Sequence, residues 1–314
     1  MTTEVAGSAA VVRAPGPWSR IRDGRTGPVG LMLLLILVIW YAGAVYLNAP
    51  RLIDGYERNE TAWTAPKLVD DAWAMERPIL PAPHQVLVEL NDTVFGKKIT
   101  SKRSLVYHAW VTISSTLLGF FLGTALGMLL AVGIVHVRAL DKSLMPWVIA
   151  SQTIPILAIA PMIIVVLGAI GLTGLLPKSI ISMYLCFFPV TIGMVKGLRS
   201  PDPLQLDLMR TYSASRSHVF WKLRWPSSVP FLFASLKVAI AISLVGAIVG
   251  ELPTGAQAGL GARLLVGSYY GQTIQIWSAL VMASILAGLL VALVGLVEKF
   301  VLGRMGVVTA GGSA

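Results

Sequence analysis

Six long apolar stretches, separated by shorter polar ones, dominate this chain of 314 residues. They run from Val29 to Leu47, Val106 to Val135, Leu144 to Gly168, Leu176 to Val195, Val229 to Gly250 and Ile276 to Leu302. A helix rises about 1.5 Å per residue, so about 20 apolar residues cross a hydrocarbon core while every backbone group bonds within its own segment. The pattern predicts an all-α, polytopic membrane protein with about six transmembrane helices. The first stretch follows Arg13, Arg20, Arg22 and Arg25, as a signal peptide's apolar region follows its cations. It is too long for such a region and lacks a persuasive small-residue cleavage site, so it reads as a retained helix.

This divides the chain into a tail (1–28), a first membrane helix (29–47), a connector (48–105), a five-helix core (106–302) and a second tail (303–314). The core includes one long polar loop, 197–228. The connector opens on the mixed-charge stretch Arg51 to Arg77, which carries Trp63 and Trp73, and closes on Pro78, Pro81 and Pro83. Tryptophans of this kind suit a helix lying along the membrane interface. A surface for a partner is the other reading of the segment.

Composition supports lipid as the solvent, with 55% of residues hydrophobic and 13% charged. The formal charge of +10 is unevenly placed. With loops assigned alternately to the two sides, one side collects both tails, the 136–143 turn and the 196–228 loop, with fourteen cations against six acids. The other side carries ten cations and nine acids. The positive-inside rule makes the first side cytoplasmic, with both termini there. The basic balance is thus a topology signal, and nucleic acid is not implied as a partner.

Several chemistries are missing. There is no Gly-rich phosphate loop followed by Lys-Ser/Thr, so the chain does not hydrolyse nucleotide by itself. His84, His108, His136 and His218 lack metal-ligand spacing and read as interfacial or loop residues. Cys186, the single cysteine, reads as a small buried hydrophobe. No metal, cofactor or nucleophile–base pair is called for, which argues against an enzyme. No acid falls in the middle of a span, where proton- or sodium-coupled carriers usually keep one. A self-sufficient carrier or channel is carried as the alternative reading; uptake by the chain alone in liposomes, without ATP, is its test.

Four features remain. Gly119, Gly123 and Gly127 form a GxxxGxxxG ridge, which in lipid brings helix backbones close; packing within one subunit is preferred to a dimer seam. SQTIPILAIAP places Gln152, Thr153, Pro155 and Pro161 in the third span. Its freed carbonyls need protein or a water-filled path, so with Ser182, Ser235 and Ser243 it supplies the candidate translocation path. Lys237 reads as a snorkelling lysine. Glu251 reads as an interfacial carboxylate, or else as a cap or gate contact.

The fourth feature is the polar segment DLMRTYSASRSHVFWKLRWP, Asp207 to Pro226. Pro201 and Pro203 stand at its start, and Asp207 is placed in the first turn of a helix, where an acid suits the dipole. Leu204, Leu208 and Tyr212 form an apolar stripe with Arg210 off that face. Ser213 and Ser215 interrupt the helix, a second short one follows, and Pro226 is read as the end of the unit. Such a helix fits a groove in a soluble partner or lies on the headgroups, and composition leaves both open.

This segment resembles the EAA loop of permease subunits of binding-protein-dependent ABC importers, in the nitrate/sulfonate/taurine-type branch. LRSPDPLQLDLMRTYSASR from Leu198, LPAPHQVL from Leu80, QTIPILAIAP from Gln152 and GAQAGLGARL from Gly255 carry the likeness across most of residues 80–302. Ser213 stands where the family usually has Gly, and Trp225 where Leu usually precedes the proline. The resemblance implies a type I ABC importer permease fold in a bacterial cytoplasmic membrane. It also implies a second permease subunit (the same chain or a related one), a cytoplasmic ABC ATPase dimer and an external solute-binding protein as partners. Asp207, Leu208, Arg210, Tyr212, Ser213, Ala214, Arg216 and Pro226 would then form the ATPase-coupling segment. Within the branch, QTIPILAIAP and GAQAGLGARL are similar to members associated with pyrimidine- or riboflavin-type solutes.

Overall fold

The computed structural model describes residues 26–253 and 258–306. The basic N-terminal stretch, the tail from 307 and residues 255–257 of the GAQAGLGARL segment lie outside the described residues. Every regular element among those described is helical. The chain divides into two compact units, one ending at Gln85 and the other beginning at Val86.

In the first unit, helix α1 spans Thr26–Arg58, passing through Leu47 and Pro50 without interruption. At 33 residues it is about 50 Å long, well beyond a hydrocarbon core of about 30 Å. Helix α2, Ala65–Ala74, turns back against it. A polar hub holds it there. Asn48 is fully buried on α1; its amide donates to the carbonyls of Ala72 (3.3 Å) and Leu80 (3.0 Å), and its oxygen accepts from Ile79 N–H at 2.7 Å. Trp73 packs edge-on to Tyr41 at 5.4 Å, and Trp63 stacks on Tyr56 at 6.3 Å. The first membrane helix, expected to end at Leu47, therefore continues to Arg58, and both tryptophans dock on it.

The second unit contains α3 (Pro83–Val94, its first turn still in the first unit), α4 (Leu105–His136), α5 (Arg138–Ala150), α6 (Ile156–Ala169) and α7 (Leu175–Leu198). It continues with α8 (Pro203–Thr211), α9 (Arg216–Val219), α10 (Trp225–Glu251), α11 (Leu260–Tyr269) and α12 (Thr273–Arg304). Helix α7 is the centre of the unit, packed between α4 and α10. Phe120, Ile134, Cys186, Val190, Met194, Leu198 and Ile240 form its main buried cluster. Among the described residues, five helices are long and apolar enough to cross a membrane, and a bent pair makes a sixth if counted as one span.

That bent pair stands where the third span was expected, with a break at the proline-containing stretch that the sequence marked as disrupted. Helices α5 and α6 meet at 99° across the short 3-10 turn Ser151–Thr153. With 13 and 14 residues, each is only about 20 Å long. Pro155 stands immediately before α6 and ends the hydrogen-bond ladder, whereas Pro161 is absorbed within α6.

The fifth span also differs from expectation. Residues 216–251 form one continuous helical path, with a π-helical turn at Phe220–Arg224. In that turn Trp225 N–H reaches back to Phe220 O. The wider turn makes room for a residue that lacks an N–H and whose ring crowds the carbonyl four residues earlier. Pro226 thus lies in the first turn of α10 and does not end the polar segment.

Candidate functional site

The polar segment between α7 and α10 is built by local capping. Asp202 caps α8, its carboxylate accepting Leu204 N–H at 2.8 Å, and Pro203 fills the first turn. Asp207 is therefore not in the first turn, as the spacing implied. It lies farther along, where it accepts a 2.9 Å ion-paired hydrogen bond from Arg210. Both side chains are exposed, so the pair adds only a few tenths of a kcal/mol. Leu204, Leu208 and Tyr212 are exposed along the helix, an apolar stripe with nothing over it among the described residues.

The helix ends in a Schellman motif. Ser213 N–H bonds Arg210 O at 2.8 Å and Ala214 N–H bonds Met209 O at 2.9 Å. The motif needs a left-handed residue at Ser213, and Ser213 has φ 49°. A serine thus makes the turn for which the resemblance calls for glycine, at a strain of about 1–2 kcal/mol. Ser215 then caps α9 by accepting His218 N–H at 3.3 Å, which places Arg216 at the start of that helix. The base of the segment is braced by Arg199 on Asp141 at 2.8 Å and by Arg224 on Leu198 O at 3.3 Å.

At the break between α5 and α6 the freed carbonyls are met by side chains. Ser151 Oγ donates to Val148 O at 2.7 Å, and Thr153 Oγ1 to Ala150 O at 2.8 Å. Tyr184 of α7 donates to Ser151 O. Gln152, Thr153 and Pro155 are exposed on this turn. The other path candidates lie elsewhere. Ser182 and Ser243 are fully buried where α7 meets α10, bonded to each other at 2.6 Å, and Ser243 Oγ donates to Thr116 O at 2.8 Å. Ser235, also buried, donates to Leu232 O at 2.8 Å. In this conformation the three serines belong to helix seams rather than to the exposed turn.

The glycine ridge faces inward, onto α7. A Cβ on Gly119 would lie 2.6 Å from Ser179 O, one on Gly123 3.0 Å from Cys186 Sγ, and one on Gly127 2.8 Å from Phe187 O. Close backbone approach within one subunit is what this ridge provides.

At the end of the bundle opposite α8 lies a buried polar cluster. Glu251, at the end of α10, has no solvent exposure. The Thr112 hydroxyl is 3.0 Å from each of its oxygens, Gly261 N–H donates to it at 2.9 Å, and Lys178 Nζ stands 3.8 Å away. His108 and Thr112 accept the N–H groups of Gly259 and Leu260 at 3.0 and 2.9 Å. His108 Nε2 lies 2.9 Å from Lys102 O; with Nδ1 accepting, the imidazole is neutral and protonated on Nε2. The first amides of α11 are thus held by side chains of α4 and α10, and an anion at a helix N-terminus suits the dipole. Outside the spans, Arg263 of α11 is pushed below its usual pKa by burial, against the pull of Glu89.

Residues 123–307 match the family described as the binding-protein-dependent transport system inner membrane component. The chain belongs to this family. It is a permease subunit of an ABC importer and a multi-pass membrane protein. A probable ABC transporter permease of Haemophilus influenzae is 30% identical over 62% of this chain and 76% of its own length. The formylaminopyrimidine transport permease of Halalkalibacterium halodurans is 27% identical over 74% of this chain and 77% of its own. The riboflavin transport system permease of Chloroflexus aurantiacus is 29% identical over 87% of each.

Sequence reasoning about this permease missed two sites. His108, read as an interfacial or loop residue, is interior; of the two readings of Glu251 the cap contact is the one that its bond from Gly261 N–H matches, in a fully buried position. The available signal was the G-x-G of Gly259 and Gly261 just downstream of a carboxylate that ends a span. Lys237 does not simply snorkel; it forms an ion pair with Glu298 on α12.

Proposed function

We propose that this permease turns ATP hydrolysis on a separate cytoplasmic ATPase dimer into solute movement through α8 and the turn behind it. Asp207, Leu208, Arg210, Tyr212, Ser213, Ala214 and Arg216 form the contact, and Pro226 anchors the segment to α10. In this reading both termini are cytoplasmic, an external binding protein delivers the solute, and a second permease subunit completes the path. Gln152, Thr153 and Pro155, at the broken span, are the path residues we favour; Ser182, Ser235 and Ser243 would join them only if their seams open.

The observation that carries the reading is the apolar stripe of Leu204, Leu208 and Tyr212, exposed on a helix capped at both ends between two spans. Helix-in-groove contacts use such anchors at four-residue spacing. A lever of this kind shifts a two-state permease only if it binds its socket with different affinity in the two states. The test is Leu208→Glu together with Tyr212→Glu, expressed with the neighbouring ATPase and binding protein. ATPase co-purification and ATP-dependent uptake should both be lost while the chain still inserts. Retention of both would overturn the docking assignment.

The solute class follows the relatives only as a proposal. Those named for formylaminopyrimidine and riboflavin point to a small heterocycle, those named for aliphatic sulfonates and nitrate to an anion.

A further inference from the structure

A cavity of about 690 Å³ opens between the first turns of α4 and α7, the end of α10 and the end of α6. It lies at the far end of α7 from α8, and the 24 residues of that helix put about 36 Å between the two. Its walls include Tyr107, Trp110 and Ser114 of α4, Thr173 beside α6, and Lys178 of α7. Positions 107, 110 and 114 recur at helical spacing, so two aromatic rings and a hydroxyl share one face. Trp110 is 69% exposed, leaving its ring accessible. Tyr107 is half-buried and held edge-on against His108 at 5.7 Å, and His108 is itself fixed by Lys102 and Gly259.

We propose that this cavity receives the solute, and that the solute is a flat, uncharged heteroaromatic ring. The ring stacks on Trp110 and Tyr107, and its polar edge bonds Lys178, Ser114 or Thr173. The inference rests on the importer reading and deepens it by naming the solute class and the place of first contact. If α8 is cytoplasmic, the cavity faces the side from which a binding protein delivers.

The electrostatics decide against an anion. Lys178 is the one charged residue on the cavity wall among the described residues. Its ammonium already donates to Ala258 O at 3.0 Å and stands 3.8 Å from Glu251. A nitrate or sulfonate that drew Lys178 to itself would leave Glu251, with no solvent exposure, short of its cation. A neutral ring makes no such demand. It accepts one further N–H from the ammonium and gains from stacking on aromatic faces, which needs no net charge.

The test is equilibrium dialysis of the full-length chain in lipid nanodiscs, with riboflavin and cytosine as neutral probes and butanesulfonate and nitrate as anionic ones. At least one neutral ring should bind saturably and neither anion should displace it. Trp110→Ala should weaken binding about tenfold or more, and Trp110→Phe by less than about threefold. The proposal is overturned if neither neutral ring binds, if butanesulfonate or nitrate displaces the ring, or if Trp110→Ala binds as the parent does. ATPase co-purification of the Trp110→Ala chain separates this result from the importer reading. Retained capture with no ring binding by the parent chain would remove the cavity proposal alone, whereas failure of the parent to capture the ATPase would remove the coupling reading.

Discussion

The hydroxyl of Thr112 lies 3.0 Å from both carboxylate oxygens of Glu251, joining α4 to the end of α10 in a site that water does not reach. Each partner supports the other. Without the carboxylate, Gly261 N–H loses its acceptor and Lys178 its counter-charge. Glu251→Ala should therefore destabilise the permease by about 3–5 kcal/mol, the range for breaking a buried pair from one side. Glu251→Gln keeps an acceptor for Gly261 and should lose less. Thermal denaturation of the detergent-solubilised chain gives the order; equal melting of the parent and Glu251→Ala would show that the cluster is not structural.

The turn after α8 allows a change in the stabilising direction. Ser213 sits at φ 49°, a conformation glycine adopts without a Cβ penalty. Ser213→Gly should stabilise the segment by about 1 kcal/mol and raise its amide protection in hydrogen exchange. Ser213→Val should lower protection from Arg210 to Ala214, because a β-branched residue at positive φ is strained. Equal protection in all three proteins would contradict the Schellman assignment.

These two sites differ in how far they could be read beforehand. The lengths of α4, α7, α10 and α12 follow from apolar runs, because in lipid the backbone has few other ways to satisfy itself. The stripe of Leu204, Leu208 and Tyr212 was legible from spacing alone. Asp202 was overlooked as the cap because Asp207 looked like the first-turn acid; Pro203, fixed at helical φ, puts the start of the helix earlier. Two prolines in SQTIPILAIAP announced a disruption, but not that Pro155 breaks the helix while α6 absorbs Pro161. The burial of Glu251 depends on α11 folding back onto α4, a tertiary event with no local periodicity to reveal it.

The glycine ridge contrasts with a glycine on another helix. Gly119→Val would drive a side chain against Ser179 O, 2.6 Å from the position of the first added carbon, and separate α4 from α7. Backbone cannot yield as a flexible side chain can, so a loss of about 3 kcal/mol or a failure to accumulate in the membrane is expected. Gly288→Val on α12 meets nothing within 4 Å and should be nearly neutral. Membrane yield and melting temperature of the two variants check this, and equal behaviour would place the ridge away from the α4–α7 seam.

Lys237 on α10 and Glu298 on α12 form an ion pair with the lysine 37% and the glutamate 18% exposed. Partial burial makes the loss of either partner worse than the loss of both. Lys237→Met leaves Glu298 partly desolvated beside apolar Val294 and Val301, and Glu298→Met leaves the ammonium in the same position. Replacing both removes the two desolvation penalties together with the attraction that offsets them, and well-packed apolar replacements of such pairs are often neutral. The prediction is a loss of about 1–2 kcal/mol for each single variant and a smaller loss for Lys237→Met combined with Glu298→Met. A double-mutant cycle on melting temperature measures the coupling. Strict additivity would mean that Lys237 stands free in the headgroups, as its sequence position alone implied, and that α10 and α12 are joined only by their apolar faces.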